Sequence, residues 1–276
     1  MNDKQSMSRM PHGNDNKQKA VNRSFLSDLI MGLQFYSRLP VGNGKHETPK
    51  LSNIAPALAF TSVIIALIPA LIIYIGVKIG MPTLFAASLS IGAWVLITGA
   101  MSEDAIADSA DGLFGGHSIK KRLEIFKDPR HGTYGVTALV LYLGLRIFAL
   151  EGIAVSSPLA AACLFIALTI LSRSSALWLA LTLPPARSDG VSASVGSLTK
   201  MAFYIGMAFA IILSFIFSAP FIGIVAFFAA IAIIIIINFS WRWLCKKKVN
   251  GQTGDLIGAL QALLEVGILS IFVVAV

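Results

Sequence analysis

The sequence predicts an all-α fold, a polytopic membrane bundle of about seven transmembrane helices with an N-terminal interfacial or re-entrant helix. Three observations carry this. Hydrophobic residues make up 56% of the 276 and charged residues only 13%, against about 25% charged in an ordinary soluble domain. Apolar stretches near the ~20 residues that cross a bilayer recur along most of the chain. The basic residues collect in alternate loops, as membrane orientation requires.

Residues 1–24 are polar, rich in Asn, Lys and Gln, and hold no apolar core of the kind a cleaved signal needs. They read as a disordered cytoplasmic tail, and residues 25–276 as a single membrane-embedded domain. Phe25 to Leu39 is apolar but broken by Asp28, Gln34 and Arg38. It is too short and too polar to cross, and suits a helix lying in the interface or re-entering the membrane. Pro40 ends it. The spans that follow run Pro56–Gly76, Thr83–Ser102, Tyr134–Ile153, Pro158–Leu181, Met201–Phe217, Phe221–Ser240 and Leu256–Val276. Only Ser218, Ala219 and Pro220 separate the fifth from the sixth, which predicts a tight helical hairpin.

With the N-terminus inside and the sides alternating, nineteen Lys and Arg residues fall inside and only Lys78 outside, while Arg146 and Arg173 fall within spans. The net charge of +8 therefore reads as orientation and contact with anionic headgroups, not as a nucleic-acid surface. Cys163 and Cys245 have neither zinc-site nor disulfide-framework spacing. Every long, glycine-rich loop falls on the inner side. A transporter needs pathways on both faces, whereas an enzyme acting on cytoplasmic substrates needs one.

Four inner loops could do chemistry. The first, Gly99 to Gly116, holds Glu103, Asp104, Asp108 and Asp111. On a helix the i, i+4 and i+7 positions share a face, so Asp104, Asp108 and Asp111 project within an arc of roughly 60° and Glu103 points about 100° away from Asp104. Converging carboxylates at a membrane edge are costly unless neutralised. Magnesium, with its oxygen ligands and its use beside substrate phosphates, is the natural neutraliser. The plainer alternative is a solvated acidic helix end. The second loop, Lys120 to Gly135, offers Lys127 and Arg130 with flexible backbone at Gly132 and Gly135, either for phosphate oxygens or as orienting charge. The third carries Arg187 after a Pro-Pro turn, and Arg173 lies deeper. A buried arginine needs an anion from substrate or an ion pair with the carboxylates above. In the fourth, Thr253, Gly254 and Asp255 enter the last span, where they suit either an anion or a simple helix cap.

Together these loops resemble the cobalamin synthase, or adenosylcobinamide-GDP ribazoletransferase, family. The acidic run Glu103-Asp104-Ala105-Ile106-Ala107-Asp108-Ser109-Ala110-Asp111-Gly112 is similar to that family's signature, as are Lys127-Asp128 with Arg130, Gly132-Thr133-Tyr134-Gly135, Ser172-Arg173, Ala186-Arg187 and Thr253-Gly254-Asp255. Leu33-Gln34-Phe35 with Arg38-Leu39-Pro40 extends the likeness upstream. Ala105 stands where the family usually has glycine, and Met101-Ser102 where it often has histidine.

The resemblance implies a magnesium-dependent transferase in the bacterial cytoplasmic (inner) membrane, with its N-terminus and active-site loops cytoplasmic and residues 25–276 as its catalytic domain. Its implied substrates are adenosylcobinamide-GDP and α-ribazole or α-ribazole 5′-phosphate. The products are GMP and adenosylcobalamin or its 5′-phosphate. Asp104, Asp108 and Asp111 would hold Mg2+, with Glu103 a further ligand or the acceptor of the nucleophile's proton. Lys127, Arg130, Arg173 and Arg187 would clamp phosphate oxygens, and Thr253, Gly254 and Asp255 would take the GDP end or a second metal. A homo-oligomer, or assembly with other cobalamin-biosynthesis enzymes, is compatible with this. The competing readings are a CDP-alcohol phosphotransferase or prenyltransferase type of enzyme and a cation-coupled transporter. Asp111-Gly112 lacks the Ala-Arg that the CDP-alcohol signature needs.

Overall fold

The computed structural model describes residues 24–42, 49–187, 190 and 194–276. Most of the polar tail lies outside these residues. Among them every regular element is a helix, and one isolated bridge joins Pro185 and Gln252. Helix α1 (Phe25–Tyr36) starts where the Ser24 side chain accepts from Ser27 N, and stops at extended Ser37. A short α2 (Leu51–Ile54) leads through a 3-10 turn at Ala55–Ala57, which contains Pro56, into α3 (Leu58–Lys78). Then follow α4 (Thr83–Thr98), α5 (Met101–Gly115), α6 (Ile119–Ile125), α7 (Thr133–Ser156), α8 (Pro158–Thr182), α9 (Lys200–Val249) and α10 (Gly254–Ala275).

Five of these helices are long and apolar enough to cross a membrane, and α4 with α5 adds a sixth candidate. The α9 element accounts for two crossings. A straight helix would set Phe215 and Phe227 about 18 Å apart along its axis, yet their rings lie 5.1 Å apart. The chain reverses at Gly223 (φ 73°, ψ 173°), backbone territory essentially reserved for glycine. The hairpin is therefore real but turns three residues beyond Pro220, which remains helical.

The second span is corrected. Thr83–Ser102 does not run through. Gly99 and Ala100 both take left-handed conformations (φ 66° and 58°), and Ala100 N donates to Val95 O, a Schellman-type stop. Helix α5 then leaves at 85° to α4. The acids thus ride on a separate helix turned across the end of the bundle, outside the α4 crossing.

Helix α8 is the buried centre, packed against α3, α9 and α10. Loops meet at one end of the bundle. Leu51 N donates to Val195 O, Ser52 Oγ donates to Ser197 O, and Thr199 N donates to Ser52 Oγ. Ala186 N donates to Gln252 O and Gln252 N donates to Pro184 O, and Arg122 Nη1 donates to Lys248 O. At the other end Thr83 Oγ1 donates to Glu151 Oε1.

Candidate functional site

The loop face carries the acidic helix. Asp104 and Asp108, one turn apart on α5, meet His131 from the turn before α7. His131 Nδ1 lies 3.5 Å from Asp108 Oδ1, and its Nε2 lies 4.0 Å from Asp104 Oδ1. One ligand atom from each of the three falls within 4.8 Å of the others. The group opens outward: the Asp104 side chain is 64% exposed and Asp108 18%. Burial, then the charges of Asp104 and Asp255, push the Asp108 carboxyl up to about 6 from 3.8, with His131 opposing.

Asp111 shares the face but has other partners. Its Oδ2 accepts from Gly132 N at 2.6 Å and its Oδ1 from Gly135 N at 2.9 Å. These are amides at the start of α7, which need an outside acceptor, and the helix's own N-cap, Gly132, has no side chain to supply one. Asp111 thereby anchors the turn that carries His131. A Cβ on Gly135 would run into Asp111 Oδ2 and Ala107 O. The two glycines of the Gly-Thr-Tyr-Gly stretch thus admit a carboxylate of the protein itself.

Glu103 faces the opposite way and is buried. Its Oε1 lies 3.2 Å from Arg146 Nη1, and Arg146 Nε lies 3.1 Å from Glu265 Oε2. Tyr142 donates to Glu265 Oε2 at 2.7 Å and Gln261 to Glu265 Oε1 at 3.0 Å. This network ties α5 and α7 to α10 inside the bundle. Arg173 is also interior, its guanidinium 4.9 Å from the Tyr36 ring and 5.1 Å from Trp94.

The remaining predicted residues do lie on that face. Arg187 Nη2 is 3.6 Å from Asp255 Oδ2, and Thr253 Oγ1 donates to the same oxygen. Thr253 also caps α10 through Leu256 N, immediately before Gly254. A Cβ on Gly258 would meet the Ala105 Cβ at 2.5 Å, so α5 and α10 approach closely there and Asp255 comes near Asp104 and Asp108. Lys127 follows α6. Arg130 is 86% exposed and forks onto Asp128 with two 2.9 Å bonds. Those bonds hold the Asp128 carboxyl down at about 2.

The donor set fits a divalent cation. Two carboxylates supply oxygen ligands, and a cation between them would relieve the repulsion that opposes Asp108 ionisation. A family model described as cobalamin-5-phosphate synthase matches residues 28–273. The chain belongs to the adenosylcobinamide-GDP ribazoletransferase family. A ribazoletransferase from Azorhizobium caulinodans is 40% identical over 248 residues, covering 88% of this chain and 94% of the relative. One from Sinorhizobium sp. is 36% identical (89% and 95% covered), and one from Xanthobacter autotrophicus is 37% identical (85% and 91% covered). No solved structure matches the chain.

In this ribazoletransferase-family chain, sequence reasoning missed Glu265, Tyr142 and Gln261, and read His131 only as a cation beside Lys127 and Arg130, not as a partner of the aspartates. Glu265 had a usable signal, an acid inside an apolar span. His131 had none, because a turn histidine gains meaning only from what the fold sets beside it.

Proposed function

We propose that this chain is an adenosylcobinamide-GDP ribazoletransferase that acts on the loop face of the membrane, with Asp104 and Asp108 holding magnesium. The observation that carries the reading is the Asp104–Asp108–His131 group, open to the loop face, in a chain that matches this family's model over residues 28–273. A ribose hydroxyl of α-ribazole, or of its 5′-phosphate, attacks the phosphorus attached to cobinamide. An O–P bond forms, the diphosphate bridge breaks, and GMP leaves with the bonding pair. When bound, the cation supplies charge neutralisation at the diphosphate.

The chain's own groups do the rest. The two carboxylates would hold the cation that faces the diphosphate. Arg187, close to Asp255, and the exposed Arg130 are placed to hold phosphate oxygens. His131 accepts the nucleophile's proton, since it stands at the open side of the acidic pair. Magnesium takes imidazole reluctantly, which suits His131 to that proton-accepting role. Asp111 holds the turn that carries His131, and Glu103, committed to Arg146, holds α5 from behind. The loop face is the cytoplasmic one, because the basic loops gather there, and the bacterial relatives support a bacterial inner membrane as its location.

The test is GMP release by purified, correctly inserted protein carrying Asp104→Asn or Asp108→Asn, with magnesium, manganese or zinc added after chelation. Loss of metal-stimulated turnover in both variants is expected. Metal-independent, near-wild-type turnover in both would overturn the reading.

A further inference from the structure

Away from the acidic site, a groove of about 1080 Å³ lies between α7, the second half of α9, and α10. Leu141 and Leu145 form one wall, Ile236, Trp243 and Leu244 the second, and Val266 part of the floor. A smaller groove of about 280 Å³ shares Leu145 and Val266 and continues to Phe148 and Val273. From Ala262 to Val273 the pair follows α10 over eleven residue-to-residue steps. At 1.5 Å per residue that is about 16 Å, close to one leaflet of a ~30 Å hydrocarbon core. The groove is open sideways: Leu145 is 51% and Trp243 61% exposed. A trough at this depth faces acyl chains.

The end of this trough nearest the loop face is cationic. Trp243 and Leu244 line it, and Lys247 and Lys248 stand one helical turn beyond them. The Lys247 ammonium lies 4.8 Å from the centre of the Trp243 ring, and that of Lys248 lies 5.6 Å from the Phe114 ring. Among the described residues neither pairs with a carboxylate. Arg122 reaches the same corner through its bond to Lys248 O, and its Nε is buried without a hydrogen-bond partner. An apolar trough one leaflet long, a tryptophan at its mouth and uncompensated cations beside it together match one amphiphile.

We propose that this groove binds an anionic phospholipid, with an acyl chain along α10 and the phosphate at Lys247 and Lys248. An ammonium near the membrane surface attracts anionic lipid by about fivefold in binding, so the two together give a preference of roughly 25-fold over a zwitterionic lipid.

The test uses full-length protein in bilayers that contain phosphatidylglycerol or phosphatidylcholine with dibrominated acyl chains, read by quenching of tryptophan fluorescence. Phosphatidylglycerol is expected to quench at far lower mole fraction. K247Q/K248Q should erase that preference while leaving quenching by both lipids at the weaker level. L145F, which crowds the junction of the two grooves from an already exposed position without adding a tryptophan, should weaken both. Equal quenching by the two lipids in the wild-type protein would overturn the proposal, without requiring any variant to fold. So would a preference that survives K247Q/K248Q. Efficient disulfide cross-linking between copies through Leu145→Cys, with no lipid preference, would assign the groove to an interface between copies and also overturn it.

Discussion

Substituting Asp111 by Asn separates anchoring of a turn from holding of a metal. Asp111 is buried and accepts two backbone bonds, from Gly132 and Gly135. Asn keeps one acceptor oxygen and turns an NH2 group against the other amide. That removes one charge-assisted bond and leaves a donor at the start of α7 unpaired. A hydrogen bond to a charged group contributes roughly 1.5–3 kcal/mol, and an orphaned buried donor costs about as much, so a loss of about 2–3 kcal/mol is expected. At ~2–4 °C per kcal/mol for a chain of this size, Tm should fall by about 5–10 °C. The assay is thermal unfolding in detergent across a magnesium titration. Asp111→Asn should unfold early at every concentration yet still gain stability from magnesium. Gly135→Ala, whose Cβ collides with Asp111, should behave alike. If Asp111→Asn unfolds with the wild type but no longer responds to magnesium, Asp111 is a metal ligand and the anchoring argument fails.

Two further outcomes are expected. Glu265→Gln leaves Arg146 with Glu103 as its remaining ion-pair partner. Breaking a buried pair from one side costs about 3–5 kcal/mol, so Tm in detergent should drop sharply, and E103Q/R146M/E265Q should recover much of the loss; an unchanged Tm for the single variant would contradict the network. Asp108, raised to about 6 from 3.8, binds its proton more tightly when folded. Its contribution to stability is full below pH 3.8 and is lost as pH rises through about 6. Chelated protein should therefore lose stability between about pH 4 and about pH 6.5, magnesium should restore it at pH 7.5, and Asp108→Asn should flatten both effects in a thermal-shift titration.

Much of the molecule was legible before any coordinates. The spans follow from apolar length, the hairpin from two apolar stretches with only a short break between them, and the shared face of Asp104 and Asp108 from helical spacing. The break at Gly99 was not legible, because Thr83 to Ser102 has the composition of one continuous span and the left-handed pair at Gly99 and Ala100 is set by where α5 packs. Helical spacing correctly separated Glu103 from the aspartates, but it could not show that Arg146 and Glu265 receive it. Nor could it show that amides from a turn more than twenty residues away occupy Asp111. Those partners come from other helices, and tertiary packing alone decides them.

The most direct measurement of the central claim is a product balance. Full-length protein in sealed vesicles is given adenosylcobinamide-GDP and α-ribazole with magnesium, and GMP and the joined corrinoid are quantified together. Equal amounts of the two are expected, both abolished by a chelator and by Asp104→Asn. Substrate accumulating inside the vesicles with no GMP formed would contradict the transferase account and favour a transporter.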